Sequence, residues 1–262
     1  MQNKEPITLN QPTSSEQQYR ALRALHKLSL IAHDTSDTSD RDSLPAVRMH
    51  ALAQRATREA VGNEELQQVY VAAADALLEA WPDIESDSEL STLLRQNTST
   101  LAELAAENLW KSRIHQVLLR SGRSLEDSGL VCAALDYWRQ ILDTSTRILG
   151  SRHPDTLTIR QELAYCKGQN GDAFGATAAL EALLKDVIDV FGHKHRETFI
   201  VRRRLAWWIG ETRQPLLAVT ALNDLVQNME DTLGPNDVET LIARYNLGRW
   251  RGQAGGAHAA ID

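Results

Sequence analysis

The sequence predicts an all-α chain, in which stacked pairs of helices form a solenoid behind a small N-terminal unit carrying a short β-hairpin. Two observations predict the solenoid. From Gly150 onward one pattern returns at a spacing of 42 residues, with Gly150, Gly192 and Gly234 in register, then Thr156, Thr198 and Thr240, then Arg160, Arg202 and Arg244, then Leu163, Leu205 and Leu247. Within each unit the apolar residues recur at helical spacing, broken by glycine twice per unit. A pair of amphipathic helices cannot bury its apolar face alone, so neighbouring pairs must stack.

The N-terminal residues are read by their punctuation. Residues 1–14 are polar and predict a disordered tail. Residues 15–62 form a separate unit: a helix near Glu16–Leu28, an apolar stretch Leu28–Ala32, a polar run His33–Ser43, a second short strand Ala46–Met49, and a helix from His50. Helix, strand, loop, strand, helix is the outline of a winged helix. The Asp/Ser loop offers oxygen ligands, but it lacks the glycine turn and the closing glutamate of a calcium loop, and it is expected to be a disordered wing tip.

Residues 63–110 are read as a helical linker region, with Val69, Ala72, Ala73, Ala76 and Leu77 on one helix face and two further helices around Leu90–Leu94 and Leu101–Leu109. Residues 111–262 then hold about three and a half repeats. The first is degenerate: Gly129, Ala134, Leu142 and Gly150 stand one period before Gly171, Ala176, Leu184 and Gly192, but Glu126 replaces the glycine that Gly168 and Gly210 supply. In the second, helix B is expected over Ala173–Phe191 with a stripe of Ala176, Leu180, Leu183, Leu184, Val187 and Val190. In the last, Gly252–Gly256 reads as the turn after helix A, and a second helix begins at Ala257 and stops after one turn. A truncated array of this kind leaves Leu241, Leu247 and Trp250 seeking cover, and self-association is expected.

The residues His153-Pro-Asp-Thr-Leu-Thr-Ile-Arg-Gln-Glu-Leu-Ala164, with Gly168-x-x-Gly-Asp-Ala173 behind them, resemble the tetratricopeptide repeat of kinesin light chains and of many bacterial signalling ATPases. That resemblance implies a tetratricopeptide-type solenoid whose helix A surfaces contact a protein or peptide partner. The motif Arg48-Met49-His50 is similar to the Met-His-Asp motif closing the winged helix of NB-ARC (STAND-class) ATPases, with Ala51 in place of the aspartate. By that resemblance His50 would reach the diphosphate of ADP; a winged-helix core histidine is the alternative.

No phosphate-cradling G-x-x-x-x-G-K-[ST] loop occurs in the chain, so ADP or ATP is expected only through a nucleotide-binding domain supplied in cis or in trans, and no cofactor is expected in this chain itself. A catalytic triad, a metal motif and a nucleophile elbow are likewise missing from the sequence, which predicts a non-enzyme. The pair His193 and His195 falls on the loop position of His153 and Asp237 and is assigned to the repeat rather than to a metal. A net charge of −7 argues against nucleic-acid binding, and two cysteines, Cys132 and Cys166, fit free thiols in the cytoplasm. No apolar run of membrane-spanning length is present.

Candidate partner-binding residues are Arg160, Arg202, Arg203, Arg204, Trp207, Trp208 and Arg244, because arginine and tryptophan gain much contact for little lost entropy. The competing role is structural, with the tryptophans packed between helices and the arginines held in ion pairs. These observations point to the sensor and interaction arm of a STAND-type signalling switch. A free-standing adaptor and a winged-helix DNA-binding regulator using Arg48, Arg55 and Arg58 are the alternatives.

Overall fold

The computed structural model describes residues 15–27, 31–34, 46–49, 51–86 and 88–259. The chain divides into two compact units, Met1–Val69 and Tyr70–Asp262. In the first, helix α1 (Ser15–Lys27) leads to strands β1 (Ile31–Asp34) and β2 (Ala46–Met49), which pair antiparallel with Ile31 opposite Met49 and Asp34 opposite Ala46. Helix α2 (Ala51–Ala60) follows, and the Gln54 amide donates to the Met49 carbonyl at 2.9 Å, tying the helix start to β2. His50 lies outside the described residues, as does the polar run 35–45.

Helix α3 (Asn63–Glu79) carries the chain into the second unit, followed by α4 (Ser88–Ala105) and a 3₁₀ turn, Ala106–Leu109. The region expected to be a linker is part of the solenoid's core: Ala74, Trp81, Leu94 and Leu101 share one apolar cluster with Leu118, Trp138 and Ile159. The loop before α4 is fastened by Glu85, which accepts from the Trp81 indole at 2.8 Å and from the Ser124 hydroxyl at 2.7 Å and pairs with Arg120 at 2.8 Å. Burial would raise this carboxyl, but the Ser124 and Trp81 hydrogen bonds, helped by Ser91 and by Arg120, hold it below the ordinary carboxylate value.

The helical pairs are α5 (Gln116–Asp127) with α6 (Val131–Ile148), α7 (Pro154–Gln169) with α8 (Ala173–Phe191), and α9 (Arg196–Glu211) with α10 (Pro215–Leu233). The last is α11 (Val238–Ala259). Each first helix begins with a side chain capping its own backbone. The ring nitrogens of His115, His153 and His195 accept from the amides of Val117, Asp155 and Glu197, and the Asp237 carboxylate accepts from Glu239. This is why imidazole and carboxylate share one register position. Gly150, Gly192 and Gly234 end the second helices with φ of 96°, 90° and 96°, a region that a Cβ disfavours.

Helix α8 spans the expected residues and buries Ala176, Leu180, Leu183 and Val187, whereas Val190 is exposed. Between successive pairs, Trp208 lies on Gly168 and Trp250 lies on Gly210, so close that a Cβ on either glycine would overlap the ring. Within the first pair Trp138 lies on Gly122 in the same way.

Three further expectations are corrected. Of Leu241, Leu247 and Trp250, expected to seek cover, only Leu241 is exposed, because Leu247 and Trp250 pack into one cluster with Phe199, Ala206 and Leu222. The turn expected at Gly252–Gly256 does not form, and α11 continues to Ala259. In earlier units the turn is held by a following helix whose large apolar residues pack back. The residues after Gly252 are mostly glycine and alanine, so local i to i−4 hydrogen bonds prevail. The helices expected around 90–94 and 101–109 form one helix, because no breaker separates them before Ala106 turns to a φ of 47°.

At the turn inside each pair, Gly129 and Gly171 take φ of 70° and 90°, but in the third the same position is Arg213, at 64°. A left-handed non-glycine residue costs about 1–2 kcal/mol, partly offset by the greater freedom glycine has when unfolded. Arg213 is exposed, and its side chain has no partner among the described residues. Arg213→Gly is therefore expected to raise stability by about 0.5–1 kcal/mol. A urea titration followed by circular dichroism checks this; a lower midpoint would contradict the strain.

Candidate functional site

The first helices of successive pairs line one continuous surface. A polar groove of about 340 Å³ is walled by residues of α5, α7, α9 and α11, among them Gln116, Arg123, Glu162, Glu197, Arg204 and Glu239. It is crossed by ion pairs joining one pair of helices to the next. Arg113 stands 3.7 Å from Asp155, Arg123 3.2 Å from Glu162, Arg204 2.6 Å from Glu162, and Arg203 2.9 Å from Glu239. Glu162 is 3% exposed and stands between two guanidiniums. Burial would raise its carboxyl, but Arg204 and Arg123 hold it below the ordinary value. In turn, burial works against the Arg204 charge, and Glu162 more than restores it.

Beside the groove is a pocket of about 270 Å³, lined by Tyr165, Arg203, Arg204, Trp207, Trp208, Ile242, Tyr245 and Asn246. The Arg204 guanidinium sits 4.9 Å from the Tyr165 ring. Trp207 is half-buried, edge-on to Trp250 at 5.5 Å, with the Arg249 guanidinium 4.3 Å from its ring. Asn246 is only 4% exposed, yet its carboxamide makes no hydrogen bond among the described residues, and it lines the cavity. Tyr245 is 68% exposed at the rim.

Of the residues chosen from sequence, this pocket gathers Arg203, Arg204, Trp207 and Trp208. Trp208 is 5% exposed and is chiefly a packing residue between pairs. Arg160, Arg202 and Arg244 lie elsewhere, turned toward second helices. Arg160 binds Asp186 at 2.7 Å and Arg244 binds Glu230 at 2.7 Å. Arg202 lines a cleft with Asp224 and Asn228, where Asn228 takes the register position of Asp186. Tyr165, Ile242, Tyr245 and Asn246 were missed. The usable signal is variation at fixed register: Glu162, Arg204 and Asn246 occupy one helical position, and Gln161, Arg203 and Tyr245 the next.

The arrangement offers aromatic walls, paired guanidiniums and a free carboxamide. Among the described residues no group of three or more His, Cys, Asp and Glu could hold a metal ion. No described helix is long and apolar enough to cross a membrane.

No family model matches the chain, and no curated protein does. It is similar to solved structures of nearly identical kinesin light chain TPR-like repeats from Podosopora anserina. One is 19% identical with a TM-score of 0.51, covering 81% of this chain and 92% of that one. A Q17M form is 18% identical with a TM-score of 0.53, covering 82% and 92%. The likeness establishes a TPR-type helical-repeat fold.

The ion pairs differ in what they contribute. Removing one partner of a buried pair strands a charge, at about 3–5 kcal/mol, whereas exposed pairs contribute about 0–1 kcal/mol. Arg204→Ala is thus expected to destabilise several-fold more than Arg244→Ala, whose arginine is 44% exposed. Parallel chemical denaturation of the two variants decides it; equal losses would mean that Arg123 alone suffices for Glu162.

Proposed function

We propose that the chain is the sensor and interaction arm of a STAND-type signalling switch, holding a segment of a partner protein along the surface of α5, α7, α9 and α11. Asn246 is the observation that carries this reading. Its carboxamide lines the pocket, has no hydrogen-bond partner among the described residues and still reaches solvent there, and an extended polypeptide offers both a backbone N–H and a C=O to meet it. Tyr165, Trp207 and Tyr245 beside it suit a large side chain of the same segment. Such a reading needs no catalytic group.

The switch context rests on the order of α1, β1, β2 and α2, read as a winged helix, and on the similarity of Arg48-Met49-His50 to the Met-His-Asp motif. In this proposal His50 contacts the diphosphate of ADP held by a nucleotide-binding domain in cis or in trans. A free-standing adaptor would use the same surface without nucleotide.

The test places a photo-crosslinking phenylalanine analogue at Tyr245 and, as a control, at Phe174, which is 73% exposed on α8. We expect one discrete partner polypeptide to be captured from the native host at position 245 and lost when Asn246→Ala is added. Equal capture at both positions, or none at 245, would reject partner binding at the pocket. Reading the adjoining genomic sequence for a P-loop, then measuring ADP binding by the joined protein, separates switch from adaptor.

A further inference from the structure

A cleft opens beside α5 between α4 and α6, and it recurs two periods later beside α9 between α8 and α10. In register, Leu118, Gln140 and Thr144 of the first become Arg202, Asp224 and Asn228 of the second. One period after the first, the positions of Leu118 and Thr144 hold Arg160 and Asp186, which are joined at 2.7 Å, and the position of Trp110 holds Arg152, which reaches Asp189 at 2.6 Å. The first cleft has lost these arginines to apolar side chains. It measures about 460 Å³, against about 280 Å³ beside α9.

The floor of this cavity is nearly buried and carries polar groups that nothing meets. Trp110 is 4% exposed and its indole N–H has no hydrogen-bond partner among the described residues; unlike those of Trp208 and Trp250, it is not sealed from solvent. The Thr98 hydroxyl on α4 is also without a partner, although Thr92 and Thr100 on the same helix return theirs to the carbonyls of Ser88 and Gln96. Leu118 and Ile141 complete the floor, and Tyr137 adds a ring whose hydroxyl is already donated to the Leu118 carbonyl at 2.6 Å. At the mouth the side chains are exposed. There Arg147 is paired with Glu107 at 2.8 Å, which leaves Glu103 as an acid without a counter-charge among the described residues.

We propose that this cavity is a binding site for a small amphipathic amine, with an aromatic body against Leu118, Tyr137 and Ile141, an oxygen acceptor at the Trp110 N–H, and a protonated amine near Glu103. Its volume lies within the range of about 300–1,000 Å³ in which small-molecule sites fall, and apolar walls with a few convergent polar groups are their usual composition. An indole N–H only donates, so the group that meets it must be an acceptor. The site shares no residue with the pocket at Asn246, and it stands whether or not a partner is held there.

Nuclear magnetic resonance of the isotope-labelled full chain, with O-methyltyramine as the probe, tests this. The Trp110 indole signal is expected to shift saturably, and phenethylamine, which lacks the oxygen, to bind about fivefold more weakly, the worth of one hydrogen bond. The anion para-methoxyphenylacetate should bind more weakly as well. The double variant L118R/T144D, which installs the arginine and acid that join α7 to α8, should fold by circular dichroism and leave its Trp110 signal unmoved by the probe. Should that variant fail to fold, Glu103→Gln, at an exposed position, should still weaken the amine about threefold. A Trp110 signal that the probe does not move in the unaltered chain, tighter binding of the anion, or undiminished affinity in the folded variants would overturn the proposal.

Discussion

A flat ring seated on a bare stretch of helix backbone sets the distance between helical pairs, and most of the second unit's geometry follows from it. Trp208 can reach Gly168, and Trp250 can reach Gly210, only because no Cβ stands between them. Burying one indole contributes up to about 5 kcal/mol by area, more than any single aliphatic side chain in these helices. The contact is also directional. It joins a position near the end of one first helix to a position two residues earlier in the next, and so fixes register as well as spacing. The indole N–H groups of both tryptophans remain without a hydrogen-bond partner among the described residues, so apolar contact outweighs the lost bond.

With the first helices brought side by side, charge on their shared face must be neutralised locally. Glu162 and Arg204 are nearly buried, and for such groups the cost of leaving water is offset only by close pairing. The result is a ladder of arginines and carboxylates running from pair to pair, with little net charge. The ladder is not continuous. At Asn246 the register offers a neutral amide in place of Glu162 and Arg204, and the aromatic residues gather beside it.

The identity of the capping residues illustrates how sequence and structure divide the work. His153, His195 and Asp237 share a register position, which assigned them to the repeat before any geometry was known. The structure adds that each caps its helix through a nitrogen or oxygen acceptor, a role in which the two side chains are interchangeable. By contrast, glycine was a poor guide at the C-terminal end. Gly255 stands where Gly129 and Gly171 turn the chain, and Gly252 where Gly168 and Gly210 seat a ring, yet α11 runs through both. Glycine permits a turn, and packing by the following helix is what makes one.

The 42-residue period determined the helical pairs, their stacking and the ends of α7, α8, α9 and α10, because those depend on residues close in sequence and on a pattern repeated often enough to be unmistakable. The choice among the arginines and tryptophans was decided only in three dimensions. Arg160 and Arg244 turn to acids on second helices, Trp208 becomes a spacer, and Trp207 stays half-exposed beside Tyr245 and Asn246. Sequence period alone cannot separate them, since neighbouring positions on one helix repeat equally well. Which of them meets a partner helix, and which meets open space, depends on the angle at which the next pair packs.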